Sequence, residues 1–380
     1  MNNEQVVCSD CLEHMRTMPE NSVDAIVTDP PYGLAFMGVA WDTFGDGRKG
    51  GGRTNATFDQ VGGNHHPTCS ADQARTRKSE NAKFQVAMTP IFEEALRVAK
   101  PGAHLLCFGG TRTFHRMACA IEDAGWIVFD CIMWVYGSGF PHGMDVGKKL
   151  PEWAGWNTAL KPAWEPIIVA RKPLDGTVAH NVLTWGVGAL NIDACRVAIE
   201  QGDDVFAKNP HTRSKGKDSG IYGKYDAAES DWSGAKGRFP ANLVHDGSQM
   251  VLDLFPDTGR SSGGGGVKAP GKNGIYGSYS GHEYPQQLGM GDSGSAARFF
   301  YCAKASKKER GEGNNHPTIK PIALMRWLVT LVTPEGGVVL DPFAGSGTTL
   351  VACKMLGRDC IGIEREPEYV EIIKRRLGEA

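Results

Sequence analysis

Two short apolar runs near opposite ends of the chain, Val23–Thr28 and Val338–Leu340, each lead directly into an aspartate, Asp29 and Asp341. Apolar runs of this length suit strands buried on both faces, as in the middle of a parallel sheet. The first breaks into Pro30-Pro31-Tyr32, the second into Pro342-Phe343-Ala344-Gly345-Ser346-Gly347-Thr348. Each strand therefore turns at its carboxyl end, the edge where open α/β sheets bind their ligands. Asp29 and the glycine turn are predicted to face one cleft.

The rest of the pattern agrees with such a sheet. Strands are predicted over Gln5–Ser9, Ala25–Thr28, His104–Phe108, Ile127–Val135, Pro166–Arg171, Val338–Asp341 and Cys360–Glu364. Helices are predicted over Thr89–Ala99, Thr111–Ala124, Ile322–Val332, Thr348–Leu356 and Pro367–Leu377, with Thr111 as an N-cap and Gly125 as a stop. Strands alternating with helices give a mostly parallel sheet covered on both faces. Only one helix follows Glu364, so the strand that would continue this half of the sheet is missing there, and Gln5–Ser9 is predicted to fill its slot.

The glycine turn has its own chemistry. Gly345 and Gly347 let backbone approach a ligand closely, and the helix start at Thr348 presents free N–H groups. Glu364, at the end of the next strand, is placed to accept both hydroxyls of a ribose. The run lacks the third glycine of the dinucleotide fingerprint, and no Walker lysine follows it.

Taken together, these motifs resemble those of the β-class DNA amino-methyltransferases. Asp29-Pro30-Pro31-Tyr32 resembles their catalytic motif and Asp341 to Thr348 their S-adenosylmethionine loop, in the β-class order with the catalytic motif first. The Asp10-to-Tyr32 stretch, His316-Pro317-Thr318-Ile319-Lys320-Pro321 and Gly362-Ile363-Glu364 match as well. The resemblance spans residues 4–172 and 314–378. It implies an α/β fold: a circularly permuted, Rossmann-like S-adenosylmethionine-dependent methyltransferase sheet with an inserted, irregular target-recognition region. Residues 1–172 would form the catalytic half, 173–313 the recognition region and 314–380 the cofactor half.

The resemblance implies S-adenosylmethionine as cofactor, bound by Asp10, Cys11, Asp29, Lys320, Asp341, Phe343, Ala344, Gly345, Ser346, Gly347, Thr348 and Glu364. Asp10 would contact its adenine. Lys320 would sit near its methionine carboxylate, with an ordinary surface lysine as the alternative. The partner would be double-stranded DNA, and dimerisation is a family-level expectation; a cognate restriction endonuclease is not inferable.

The catalytic tetrapeptide suits amino-group chemistry. The lone pair of an exocyclic amine is delocalised into the base, so the nitrogen is a poor nucleophile. Two acceptors that take its hydrogens bend it towards a tetrahedral shape and aim the lone pair at the methyl group. Asp29 supplies one acceptor and the Pro30 carbonyl the other, with Pro30 and Pro31 stiffening the turn. Tyr32 offers a face for a base flipped out of the duplex. No Pro-Cys dipeptide occurs, so the cytosine-C5 nucleophile is missing. Asp at position 29 favours adenine N6; cytosine-N4 members more often carry Ser there, and the related protein glutamine methyltransferases prefer Asn. A binding protein that has lost catalysis is the rival from another class.

Net charge is −2, so the chain is not globally basic, but residues 207–238 and 304–320 carry local basic excesses. Arg213, Lys215, Lys217, Lys224, Lys307 and Lys308 are the DNA-contact candidates, with Phe36 and Trp41 beside the flipped base. Solvated surface and core packing are the plain alternatives. The 49 glycines concentrate in 45–63 and 259–294, which read as long loops, and segment 42–83 is expected to be a loop that closes over DNA. An echo between Gly216–Tyr225 and Gly271–Tyr279 suggests two similar turns. Cys8 and Cys11 form the one Cys-x-x-Cys, so no zinc site is predicted. Without an apolar signal core or a run of membrane-spanning length, a cytoplasmic location is expected.

Overall fold

The computed structural model describes residues 4–33, 69–141, 143–198, 237–259, 293–304, 309 and 319–379, with side chains in the second stretch described from residue 82. In chain order the regular elements are β1 (Glu4–Cys8), α1 (Cys11–Thr17), β2 (Val23–Thr28), α2 (Cys69–Val98), β3 (Ala99–Phe108), α3 (Phe114–Asp123), β4 (Ile127–Val135) and β5 (Trp164–Arg171). Then come α4 (Val178–Trp185), β6 (Leu243–His245), α5 (Gln249–Leu252), β7 (Asp257–Thr258), β8 (Gly294–Ser295) and β9 (Tyr301–Cys302). The chain continues through α6 (Ile322–Val332), β10 (Val338–Asp341), α7 (Thr348–Met355), β11 (Asp359–Glu364) and α8 (Pro367–Glu379).

The main sheet runs β1-β11-β10-β2-β3-β5-β4-β6-β9. Strands β1, β11, β10, β2 and β3 are mutually parallel, and β5 is antiparallel to both β3 and β4. The first strand lies in register beside β11, Glu4 opposite Cys360 and Cys8 opposite Glu364, in the slot the sequence left open. Every residue of β2 is buried, as a central strand covered on both faces requires. Its one charge, Asp24, is satisfied by Lys100 Nζ at 2.6 Å and the Val338 N–H at 2.8 Å.

Connections from β10 run by α7 to β11 on one side, and those from β2 run by α2 to β3 on the other. The neighbouring carboxyl ends of β10 and β2 therefore diverge, which opens a crevice between them. Thr28 Oγ1 donates to Asp341 Oδ1 at 2.7 Å and ties the two strand ends together behind it.

Two of the predicted helices begin at other residues than the sequence reading gave them. The helix predicted from Thr89 begins at Cys69, so part of the segment expected as a loop over 42–83 is helical. Its buried stripe, Phe84, Met88, Phe92 and Ala95, has helical spacing and packs on the core; Pro90 lies inside the helix rather than at its start. Helix α3 begins at Phe114 and not at Thr111, because the Thr113 and Phe114 N–H groups both close a turn on the Gly110 carbonyl.

The chain divides into two compact units: residues 1–194, 242–248 and 302–380 form the first, 195–241 and 249–301 the second. The first unit holds β1 to β6, β10 and β11 of the main sheet. In the second, β7 pairs antiparallel with β8, and Val197 bridges Arg238. Arg238 belongs to the basic 207–238 stretch but is buried, its guanidinium 5.4 Å from the Phe299 ring centroid. That one charge is packing, not solvated surface.

Candidate functional site

A cleft of about 1810 Å³ opens at the carboxyl edge of the sheet in the first unit. Asp10, Cys11, Asp29 to Tyr32, Lys320, Asp341, Phe343 to Ser346, Thr348 and Glu364 line it. Of the described candidates for catalysis and cofactor binding, Gly347 alone lies behind the wall. Trp134, Tyr136, Ser138, Gly139, Phe140 and Glu165 line it as well. Phe36, Trp41, Arg213, Lys215, Lys217, Lys224, Lys307 and Lys308 lie outside the described residues, as do the two echoing segments and His316 to Thr318.

The glycine turn is held from three directions. Gly345 and Gly347 have φ of 53° and 78°, the left-handed region that favours glycine. The Gly345 N–H donates to Glu364 Oε2 at 2.8 Å, and the Glu366 N–H donates to Glu364 Oε1, also at 2.8 Å. Both Glu364 oxygens are thus fixed by backbone. Burial raises the Glu364 pKa, and these two N–H groups partly offset it. From below, Arg376 on α8 sends Nη1 to the Ser346 carbonyl at 2.6 Å, Ser346 Oγ at 3.1 Å and Thr348 Oγ1 at 3.1 Å.

Asp341 sits beneath the turn, accepting from Thr28 Oγ1, from Thr349 Oγ1 at 2.5 Å and from the Phe343 N–H at 3.1 Å. Burial pushes its pKa up to about 6 against these hydrogen bonds, with the nearby Asp29 charge adding to the rise. Across the cleft, Asp10 caps α1, its Oδ1 accepting from the Leu12 and Glu13 N–H groups at 2.9 and 3.1 Å. Cys11 begins that helix and is buried; burial first, then the Asp10 charge, push its thiol up to about 12.

At the tetrapeptide, both oxygens of Asp29 are engaged. The Tyr32 hydroxyl donates to Oδ1 at 2.7 Å, and Lys320 Nζ donates to Oδ2 at 2.6 Å. Lys320 is therefore on the Asp29 carboxylate. Its ammonium also lies 3.2 Å from Glu165 Oε2, 3.2 Å from the Tyr32 hydroxyl and 4.8 Å from the Phe108 ring centroid. Burial alone would lower the Lys320 pKa; Asp29 and Glu165 outweigh it and hold the ammonium charged. Burial, with those same carboxylates, raises Tyr32 well above the ordinary tyrosine value, and burial and Glu165 push Tyr136 up to about 12. The turn is anchored from α3, where Thr113 Oγ1 donates to the Tyr32 carbonyl at 2.6 Å.

Glu165, Thr113 and Arg376 were not among the sequence candidates. Glu165 carried a readable signal, an acid opening the otherwise apolar Pro166–Ala170 strand. Arg376 carried none, since it follows Lys374 and Arg375 on a charged helix end and only the fold turns it inward.

The chain matches the DNA methylase family over residues 23–375, and it belongs to that family. It is 24% identical to the Type II methyltransferase M.HindIII of Haemophilus influenzae over 97% of this chain and 94% of that one. It is 41% identical to the Type II methyltransferase M2.DpnII of Streptococcus pneumoniae over 23% of this chain and 32% of that one. Among solved structures, PvuII DNA methyltransferase (cytosine-N4-specific) aligns with a TM-score of 0.47 and 13% identity, covering 99% of this chain and 87% of that one. The M1.HpyAVI-SAM complex aligns with a TM-score of 0.39 and 18% identity, covering 98% and 99%.

Among the described residues, no group of three or more His, Cys, Asp or Glu is placed to hold a metal ion, and no helix is long and apolar enough to cross a membrane.

Proposed function

We propose that this DNA methylase transfers a methyl group from S-adenosylmethionine to the N6 amino group of adenine in duplex DNA. The observation that carries the reading is the meeting of Asp29 and the glycine turn in one cleft at the divergence of β10 and β2. In this reading the catalytic motif precedes the cofactor loop in a permuted sheet, and residues 173–313 supply target recognition.

The residues present fit the cofactor. A turn with two left-handed glycines leads into the α7 amino terminus, with a carboxylate fixed beside it on the next strand and the Asp10-capped α1 opposite. Bound there, S-adenosylmethionine supplies an electrophilic methyl group. The chain does the rest by positioning. Glu364 and Asp10 take up polar groups at the cleft's cofactor side, and Asp341, held by Thr28 and Thr349, keeps the turn in place. Asp29 and the Pro30 carbonyl accept the two amino hydrogens of a base rotated out of the duplex, and the Tyr32 ring stacks on it. No covalent protein intermediate forms.

The test is Asp29→Asn. Methyl transfer should fall by about a hundredfold or more, the scale of losing one preorganised polar contact at the reacting group. Cofactor affinity by calorimetric titration should stay close to wild type. Loss of both together would show that Asp29 serves the cofactor side instead.

A further inference from the structure

Both oxygens of Asp29 are already engaged, Oδ1 by the Tyr32 hydroxyl and Oδ2 by the Lys320 ammonium, so an incoming amino group competes with one of them for its place. Resting on the function proposed above, we infer that Glu165 is a positioning residue: it receives the Lys320 ammonium when the target amino group takes its place on Asp29. The geometry is prepared for the exchange. Glu165 Oε2 already lies 3.2 Å from Lys320 Nζ and 3.2 Å from the Tyr32 hydroxyl. A small swing of the lysine keeps it paired while Asp29 Oδ2 is vacated.

The electrostatics require such a second carboxylate. The Lys320 side chain is 10% exposed, so an ammonium displaced without a partner would be stranded in a poorly solvated site. The groups facing it are Asp29 and Tyr32 after β2, Glu165 at the start of β5, and Tyr136 just past β4. Cys107 and Asp341 are the other buried titratable groups that feel the Asp29 charge. Tyr32 and Tyr136 both stay protonated, so among the described residues Glu165 is the charged alternative to Asp29 within reach of the lysine.

Glu165→Gln keeps the shape and removes the charge. With full-length protein, labelled S-adenosylmethionine and duplex DNA, kcat should fall by about thirtyfold, the scale of removing one partner of a buried charge set. Cofactor affinity should be unchanged. The deficit should shrink as pH rises towards the lysine range, because a lysine with one counter-carboxylate loses its proton earlier than a lysine with two. The double variant E165Q/K320M should recover at least about tenfold over E165Q, since the competitor for Asp29 is gone. A deficit constant across pH, with no recovery in the double variant, overturns the inference. Carbon-13 NMR titration of the lysines in wild type and E165Q, which needs no turnover, should show one resonance titrating at lower pH in E165Q; identical titrations also overturn it. Wild-type protein that methylates no DNA would instead sink the proposed function.

Discussion

Replacing Gly347 with alanine tests whether the turn geometry is set by packing from α8 as well as by backbone. At φ 78° an L-residue pays roughly 1–2 kcal/mol for the left-handed conformation. An added Cβ would also stand 2.8 Å from Ile373 Cγ2 and 2.9 Å from its Cγ1, and Ile373 is fully buried. Crowding of that kind in a packed core costs about 1–3 kcal/mol, so the total expected loss is about 2–5 kcal/mol. Urea denaturation of wild type, G347A, I373A and the double variant separates the two parts. In the I373A background the cost of G347A should drop to about 1–2 kcal/mol, the backbone part alone, with the difference appearing as coupling energy. A G347A cost under about 0.5 kcal/mol would refute the strain argument. Equal costs in the two backgrounds would refute the role of Ile373.

Arg376→Met keeps the apolar stem and removes the guanidinium that holds Ser346, Thr348 and the Glu309 carbonyl. Stability should fall by about 3–5 kcal/mol, with weaker cofactor binding by calorimetry; a variant like wild type in both would show that the turn holds itself. Asp341 binds its proton up to about pH 6 in the folded chain, against 3.8 as its ordinary value. Between those values the folded state holds more proton than the unfolded one, so its contribution is fully present below pH 3.8 and is lost as pH rises through about 6. The stability of wild type relative to D341N should therefore decline across that window and level off above it; a difference flat with pH would contradict the raised value.

The strands that position the site were legible because burial on both faces leaves a continuous apolar run, as in β2 and β10. The vacancy beside β11 was legible from element order alone, and Glu4–Cys8 fills it. Helix α2 was half legible. Its stripe from Phe84 onward has helical spacing, but residues 69–83 are polar helix formers with few apolar side chains, and Pro90 reads naturally as a first turn. The meeting of Asp29 with the glycine turn followed from two neighbouring strand ends. The ion cluster there did not, since Lys320 and Glu165 come from separate segments and only the sheet order puts both beside Asp29. Thr113 shows the same limit: nothing in the sequence singles it out, and its hydroxyl holds the Tyr32 carbonyl.

The most direct measurement of the central claim is nucleoside mass spectrometry of mixed-sequence duplex DNA after incubation with the purified chain and labelled S-adenosylmethionine. N6-methyladenine carrying the label is the predicted product. N4-methylcytosine in its place would contradict the base assignment while leaving the amino-group mechanism at Asp29, and no labelled nucleoside at all would contradict methyl transfer to DNA.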